Sequence, residues 1–244
     1  MDRAKVVAEA VFSVDKEEIE KREKYSYPVR LKEAKDCKPK QLENAAAGFA
    51  AGCAIEDIVV LADTTFFGKG TKGYLFAKDA FYGDNSTFTT SGFGKSCVPY
   101  PLLYEELEDV YLDEEDSTYL VLCYKNGEKK RVFGNISSIF LVASLRAVLK
   151  ALEHEQAMEE KKTKELQTLE EQMEAQNMSQ TVKERVLLLY PELKQYQYFS
   201  RSDIVETIDV SASTAGDLIK KMKEAEIIEA VIGYGKGKYK FNKF

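Results

Sequence analysis

The chain of 244 residues contains no tryptophan, and His154 is its single histidine. Its four cysteines, Cys37, Cys53, Cys97 and Cys123, form no CxxC pair and have no histidine at ligand spacing. Structural zinc therefore has no ligand set, and the thiols read as reduced, mostly buried side chains. His154 lies between Glu153 and Glu155 in a charged helical stretch, so Ser-His-Asp or Cys-His catalysis has no proton carrier delivered to a pocket. No uninterrupted apolar run of about 18 residues is present to cross a bilayer. The opening residues alternate charges with short apolar pairs and lack the core of a secretion signal. There is also no excess of positive charge: 41 acidic and 35 basic side chains give a net charge of −6, which excludes an indiscriminate polycation. These absences lead to the expectation of a cytoplasmic, non-enzymatic protein with no cofactor and no metal.

The distribution of glycine, proline and charge divides the chain. Eight of the 14 glycines fall between Gly48 and Gly94, and no proline occurs between Pro101 and Pro191, which permits one long helix near 136–177. Residues 1–150 carry a net −3, residues 151–178 a net −5 and residues 179–244 a net +2. The expected organisation is N-terminal helices over 1–54, an antiparallel β domain over 55–150, an acidic helical connector over 151–178 and a C-terminal domain over 179–244. The overall class is α+β.

Within the second segment, IEDIVVLAD, GYLFAKDAFYG and TYLVLCYKNGEKKRVFG read as strands, and Asn126-Gly127 reads as a tight two-residue hairpin turn. The loop FFGKGTKG offers Lys69 and Lys72 among glycines, either to an anion or simply to solvent. SGFGKS at 91–96 fails as a phosphate loop because Thr89 stands where a glycine is required, and Pro99 and Pro101 interrupt the helix that should follow. Leu149, Leu152, Leu166, Leu169 and Met173 suit an amphipathic or coiled-coil seam, interrupted at 159–164, through which the chain could pair as a homodimer. GYLFAKDAFYG, VPYPLLYEELEDVYL, the hairpin and the closing helix SSIFLVASLRAVLKAL resemble, in that order, bacterial pleckstrin-homology-like (GRAM-like) domains. That resemblance implies a protein-binding β body and does not imply lipid binding.

The C-terminal segment runs FSRSDIVETIDVSASTAGDLIKKMKEAEIIEAVIGYGKGKYKF after a helix expected to end at Pro191. Ser200 or Ser202 caps one helix and Ser211 another across the Asp209-Val210-Ser211 turn, and GYGKGK forms a glycine-rich tip between two strands. Four lysines and no acid occupy Val231 to Phe244. This stretch resembles the winged helix-turn-helix family. The resemblance implies that Ser213, Thr214, Lys220 and Lys221, with Asp217, lie on the outer face of a recognition helix. It also implies that Lys236, Lys238 and Lys240 lie in or beside a wing that meets nucleic acid. The chain departs from the family at Ala212, where many DNA-binding members carry arginine, and at Asp217, whose charge opposes phosphate. The function expected from the resemblance is a DNA-binding regulator of transcription, of modest affinity, with a protein partner on the N-terminal body. The alternative is an adaptor in a multi-protein assembly with no DNA contact.

Overall fold

The computed structural model describes residues 2–14, 30–65, 68–83, 88–89, 101–134 and 138–243. It is mixed α and β with antiparallel sheets, and it divides into two compact units, Met1–Gln156 and Ala157–Phe244.

In the first unit the strands read from IEDIVVLAD and GYLFAKDAFYG are β2 (Ile58–Asp63), β3 (Gly73–Ala77) and β4 (Ala80–Gly83). Their nearly continuous apolar character has a structural cause, since both faces of this sheet are covered. Val60, Ala62, Tyr74, Phe76 and Phe81 enter the main core, while Leu61, Leu75 and Tyr82 meet Ala45 and Ala50 in a smaller one. Ala45 belongs to α2 (Pro39–Ala47), and α1 (Arg3–Phe12) adds Val7 and Val11 to the main core. The sheet is completed by β1 (Arg30–Glu33) and β6 (Leu102–Leu103), in the order β1-β2-β3-β4-β6. The span 1–54 is therefore not purely helical. RLKE has one apolar residue, Leu31, and as a polar edge strand it gives no hydrophobic signal.

A second antiparallel sheet has the order β5-β9-β8-β7, with β5 at Phe88–Thr89, β7 at Leu107–Leu112, β8 at Tyr119–Tyr124 and β9 at Lys129–Gly134. The β8–β9 connection differs from the two-residue turn expected at Asn126-Gly127. Gly127 donates its N–H to Tyr124 O at 2.9 Å, Tyr124 donates to Glu128 O at 2.9 Å, and of the two residues only Gly127 is left-handed, with φ 86°. The loop is thus three residues long, a turn followed by a glycine that bulges the ladder, so Asn126 never has to adopt a positive φ. SGFGKS and Cys97 lie outside the described residues.

The long helix expected over 136–177 is α3 (Ser138–Ala175). Its first part supplies Leu141, Leu145, Val148 and Leu152 to the core of the first unit. Its last part supplies Leu169 and Met173 to the core of the second, while residues 156–164 are exposed. Leu149 and Leu166 are partly buried against the same two cores. The side chains read as a dimer seam are therefore taken up within the chain, and the span 151–178 is not simply a solvated connector. The helix ends with Asn177 at φ 52° and Met178 N–H reaching back to Met173 O at 3.1 Å.

The second unit adds α4 (Gln180–Leu193), α5 (Arg201–Ile208), α6 (Ala212–Glu224) and a sheet of order β10-β12-β11. These strands are β10 (Phe199–Ser200), β11 (Ile228–Ala230) and β12 (Lys238–Phe241). Helix α4 continues past Pro191, because a proline one turn from a C-terminus removes a single hydrogen bond there. Phe241 stacks edge-on against Tyr190 at 5.0 Å and lies 5.1 Å from Phe199, which ties the sheet to α4.

Candidate functional site

Helix α5 starts where the Asp203 carboxylate accepts hydrogen bonds from the Ser200 N–H at 2.6 Å and the Ser200 hydroxyl at 2.9 Å. It stops at Asp209, which takes the left-handed conformation with φ 47°. After this turn the Ser211 hydroxyl accepts from the Thr214 N–H at 3.1 Å and pairs with the Thr214 hydroxyl at 2.9 Å, which sets the start of α6. Ala215, Leu218, Ile219 and Met222 turn into the core.

That register exposes Ser213, Asp217, Lys220 and Lys221, whereas Thr214 is half-buried and engaged with the cap. Helical spacing places Ser213, Asp217, Lys220 and Glu224 along one line, and Lys220 lies 3.9 Å from Glu224. The outer face of α6 therefore alternates in sign instead of presenting a cationic stripe.

The β11–β12 connection has a different character. The Val231 N–H donates to Lys238 O at 2.9 Å and closes the hairpin. Gly233, Gly235 and Gly237 all have φ between 81° and 94°, and a side chain at any of them would meet nothing within 4 Å. Glycine is required there by backbone angle, not by crowding. Ile232, just before the first of these glycines, is 95% exposed, and Tyr234, between the first two, is 47% exposed. The Tyr234 ring lies 4.8 Å from that of Tyr198, and Gln197 Nε2 donates to its hydroxyl at 2.9 Å. Lys238 Nζ sits 4.9 Å from the centroid of the same Tyr198 ring.

Lys236 and Lys238 are thus gathered in and beside one exposed loop, and Lys236 is exposed. Lys240 is not equivalent to them, since it faces Glu229 across the β11–β12 pair with Nζ 2.8 Å from the carboxylate. Gln197, Tyr198, Ile232 and Tyr234 are not among the residues that the winged-helix resemblance implies. The available signal was the repetition of tyrosine in YQYFS and the presence of tyrosine and isoleucine, both costly to expose, in a glycine-rich tip.

The other sequence candidates sit in different surroundings. At the end of β2, just before the FFGKGTKG loop, Asp63 is 3% exposed, and its carboxylate accepts from the Gly70 N–H of that loop at 2.9 Å and from the Thr65 N–H at 2.8 Å. Those amides already hold a carboxylate of the chain itself. Burial pushes the Cys37 and Cys53 thiols up, away from the nucleophilic thiolate. Among the described residues, no group of three or more His, Cys, Asp or Glu side chains could hold a metal ion, and no helix is long and apolar enough to cross a membrane. A recess of about 460 Å³ in the first unit is lined by β7 and α3 residues of both signs, with Arg146 paired to Asp109 at 2.9 Å. No protein-family model matches this chain, and no match is found among curated proteins.

Proposed function

We propose that the chain is a non-enzymatic, DNA-binding regulatory protein whose second unit is a winged helix and whose first unit is a pleckstrin-homology-like body for a protein partner. The observation that carries this reading is the β11–β12 loop, an exposed hairpin tip holding Lys236 and Lys238 within a stretch from Val231 to Phe244 that has no acidic residue. Helices α5 and α6, joined by the turn at Asp209, precede it, and this order supports the winged-helix reading. The balanced face of α6 makes the wing the principal contact, so affinity is electrostatic and sequence discrimination is low.

The test is titration of the full chain with duplex and with denatured genomic DNA across a salt series. The expected result is binding that weakens by about 0.9 log units per log unit of salt for each phosphate neutralised on duplex, and somewhat less on single strands. Changing Lys236 and Lys238 together to Glu should abolish it, whereas Lys240→Glu should cost less, because Lys240 is already paired with Glu229. Absence of salt-dependent binding to either form overturns the reading.

A second reading, an adaptor without DNA contact, is favoured by Leu188 and Tyr196, which are 61% and 58% exposed on the second unit. It predicts no DNA binding, together with loss of a protein partner when Leu188 is changed to Asp.

A further inference from the structure

We propose that the β11–β12 loop is a stacking platform for single-stranded nucleic acid, with the Tyr234 ring receiving an unpaired base and Lys236 and Lys238 holding the adjoining phosphates. This inference rests on the nucleic-acid reading above and specifies the form of nucleic acid that the loop selects.

Helix α6 is poorly equipped to read a duplex. Its exposed face carries no Arg, Asn or Gln for paired hydrogen bonds to base edges in the major groove, and of its exposed lysines, Lys220, Lys221 and Lys223, the first lies 3.9 Å from Glu224. Asp217 and Glu224 stand on that face, and the Thr214 hydroxyl is engaged with Ser211. The loop has the opposite equipment. Binding of single strands combines cationic side chains along the backbone path with aromatic rings on which bases stack, and every base has a face to stack.

Tyr234 is already ordered for that role. One side of its ring is occupied by Tyr198, its hydroxyl is held by Gln197, and nearly half of the residue still faces solvent. A ring fixed before binding loses little rotamer freedom when a base arrives. The space around it is open, because the neighbouring positions 233 and 235 are glycines with nothing near the place a side chain would fill. Ile232 is the most exposed large apolar side chain among the described residues, and it lies two positions from the ring, where it would cover the edge of a stacked base. Lys236 and Lys238 follow at the same two-residue interval and bring charge without a competing acid in the segment.

The experiment is fluorescence anisotropy of the full chain with a labelled oligothymidine and with a duplex of equal length, at about 50 mM and about 150 mM salt. The expected result is single-strand affinity about tenfold or more above duplex affinity, with Tyr234→Ala weakening the single strand about tenfold and Tyr234→Phe, which keeps the ring and loses only the Gln197 hydrogen bond, weakening it clearly less. Tyr234 is outside the core of the second unit, so a thermal melt of the variant checks that the fold is retained. Because the chain has no tryptophan, emission from its 14 tyrosines is not masked, and the part quenched by oligothymidine should be smaller in Tyr234→Ala. Equal affinity for the two forms, or an unchanged Tyr234→Ala, overturns the platform while leaving DNA binding intact. No binding to either form overturns both.

Discussion

Glu165 is the residue at which pH acts most directly on the second unit. The Lys194 ammonium, 2.5 Å away, and then the Tyr190 hydroxyl, at 3.2 Å, hold its carboxyl below the usual glutamate range. Tyr190 is itself pushed up to about 12, first by burial and then by the charge of Glu165. An unfolded chain takes up a proton near pH 4.3, about the ordinary glutamate value, whereas the folded chain resists until the pH is lower. The stabilisation is therefore complete above that pH and drains away as the pH falls through the lowered value. Glu165→Gln should cost about 1 kcal/mol at neutral pH. It should also flatten the loss of stability as the pH falls below about 4.3. Melting temperatures of both proteins over that range check this, and an equally steep decline in the variant would remove Glu165 from the account. Asp63 marks a boundary of sequence reading at this scale. The glycines and lysines that follow it read either as an anion site or as a solvated turn, and in the fold the Gly70 N–H is taken by the aspartate itself.

Among the elements, α3 joins the most distant parts of the sequence reading. Its length was legible from the absence of proline and glycine and from its charged composition. The destination of its apolar residues was not, because Leu166, Leu169 and Met173 have the same spacing whether they meet a second chain or an intramolecular core. Leu169 is fully buried among second-unit residues. Leu169→Ala should therefore destabilise that unit by about 2–5 kcal/mol through the cavity it leaves. Scanning calorimetry of the full chain should show the second-unit transition moving down while the first-unit transition stays in place, and a shift of both together would show the two cores to be one cooperative structure. The helices of the second unit were legible for a local reason, their capping residues and periodic apolar positions lying within a few residues of each other. Strand β1 was not, because its pairing with β2 depends on residues about thirty positions away and its own side chains are mostly polar. The loop carrying Tyr234 was legible in its glycines and lysines and illegible in its tyrosines, whose exposure depends on how Tyr198 and Gln197 are placed.

For the whole molecule, the acidic total conceals a division of charge, but the fold refines what the sum along the chain implies. The C-terminal net of +2 becomes a useful field only where acids are absent, and Lys220 and Lys240 are both accompanied by glutamates. Two compact units with separate cores can also open separately, and the hairpin at Asn126-Gly127 gives the first of them a chemical memory. Asparagine followed by glycine is the dipeptide most prone to spontaneous deamidation, in which the glycine nitrogen gives up its proton, attacks the asparagine side-chain carbonyl and expels ammonia to form a cyclic imide, which water then opens to aspartate or isoaspartate. In the folded hairpin that nitrogen donates to Tyr124 O, while the carbonyl oxygen of the Asn126 side chain accepts from the Glu128 N–H at 2.9 Å. The two reacting groups are held by different partners, so the reaction should proceed much more slowly than in a free peptide of the same sequence. Isoaspartate at position 126, measured by peptide mapping of aged samples, should accumulate in proportion to the time the first unit has spent open, and should not respond to Leu169→Ala. A folded chain that deamidates as fast as the free peptide would show that the hairpin does not protect the site.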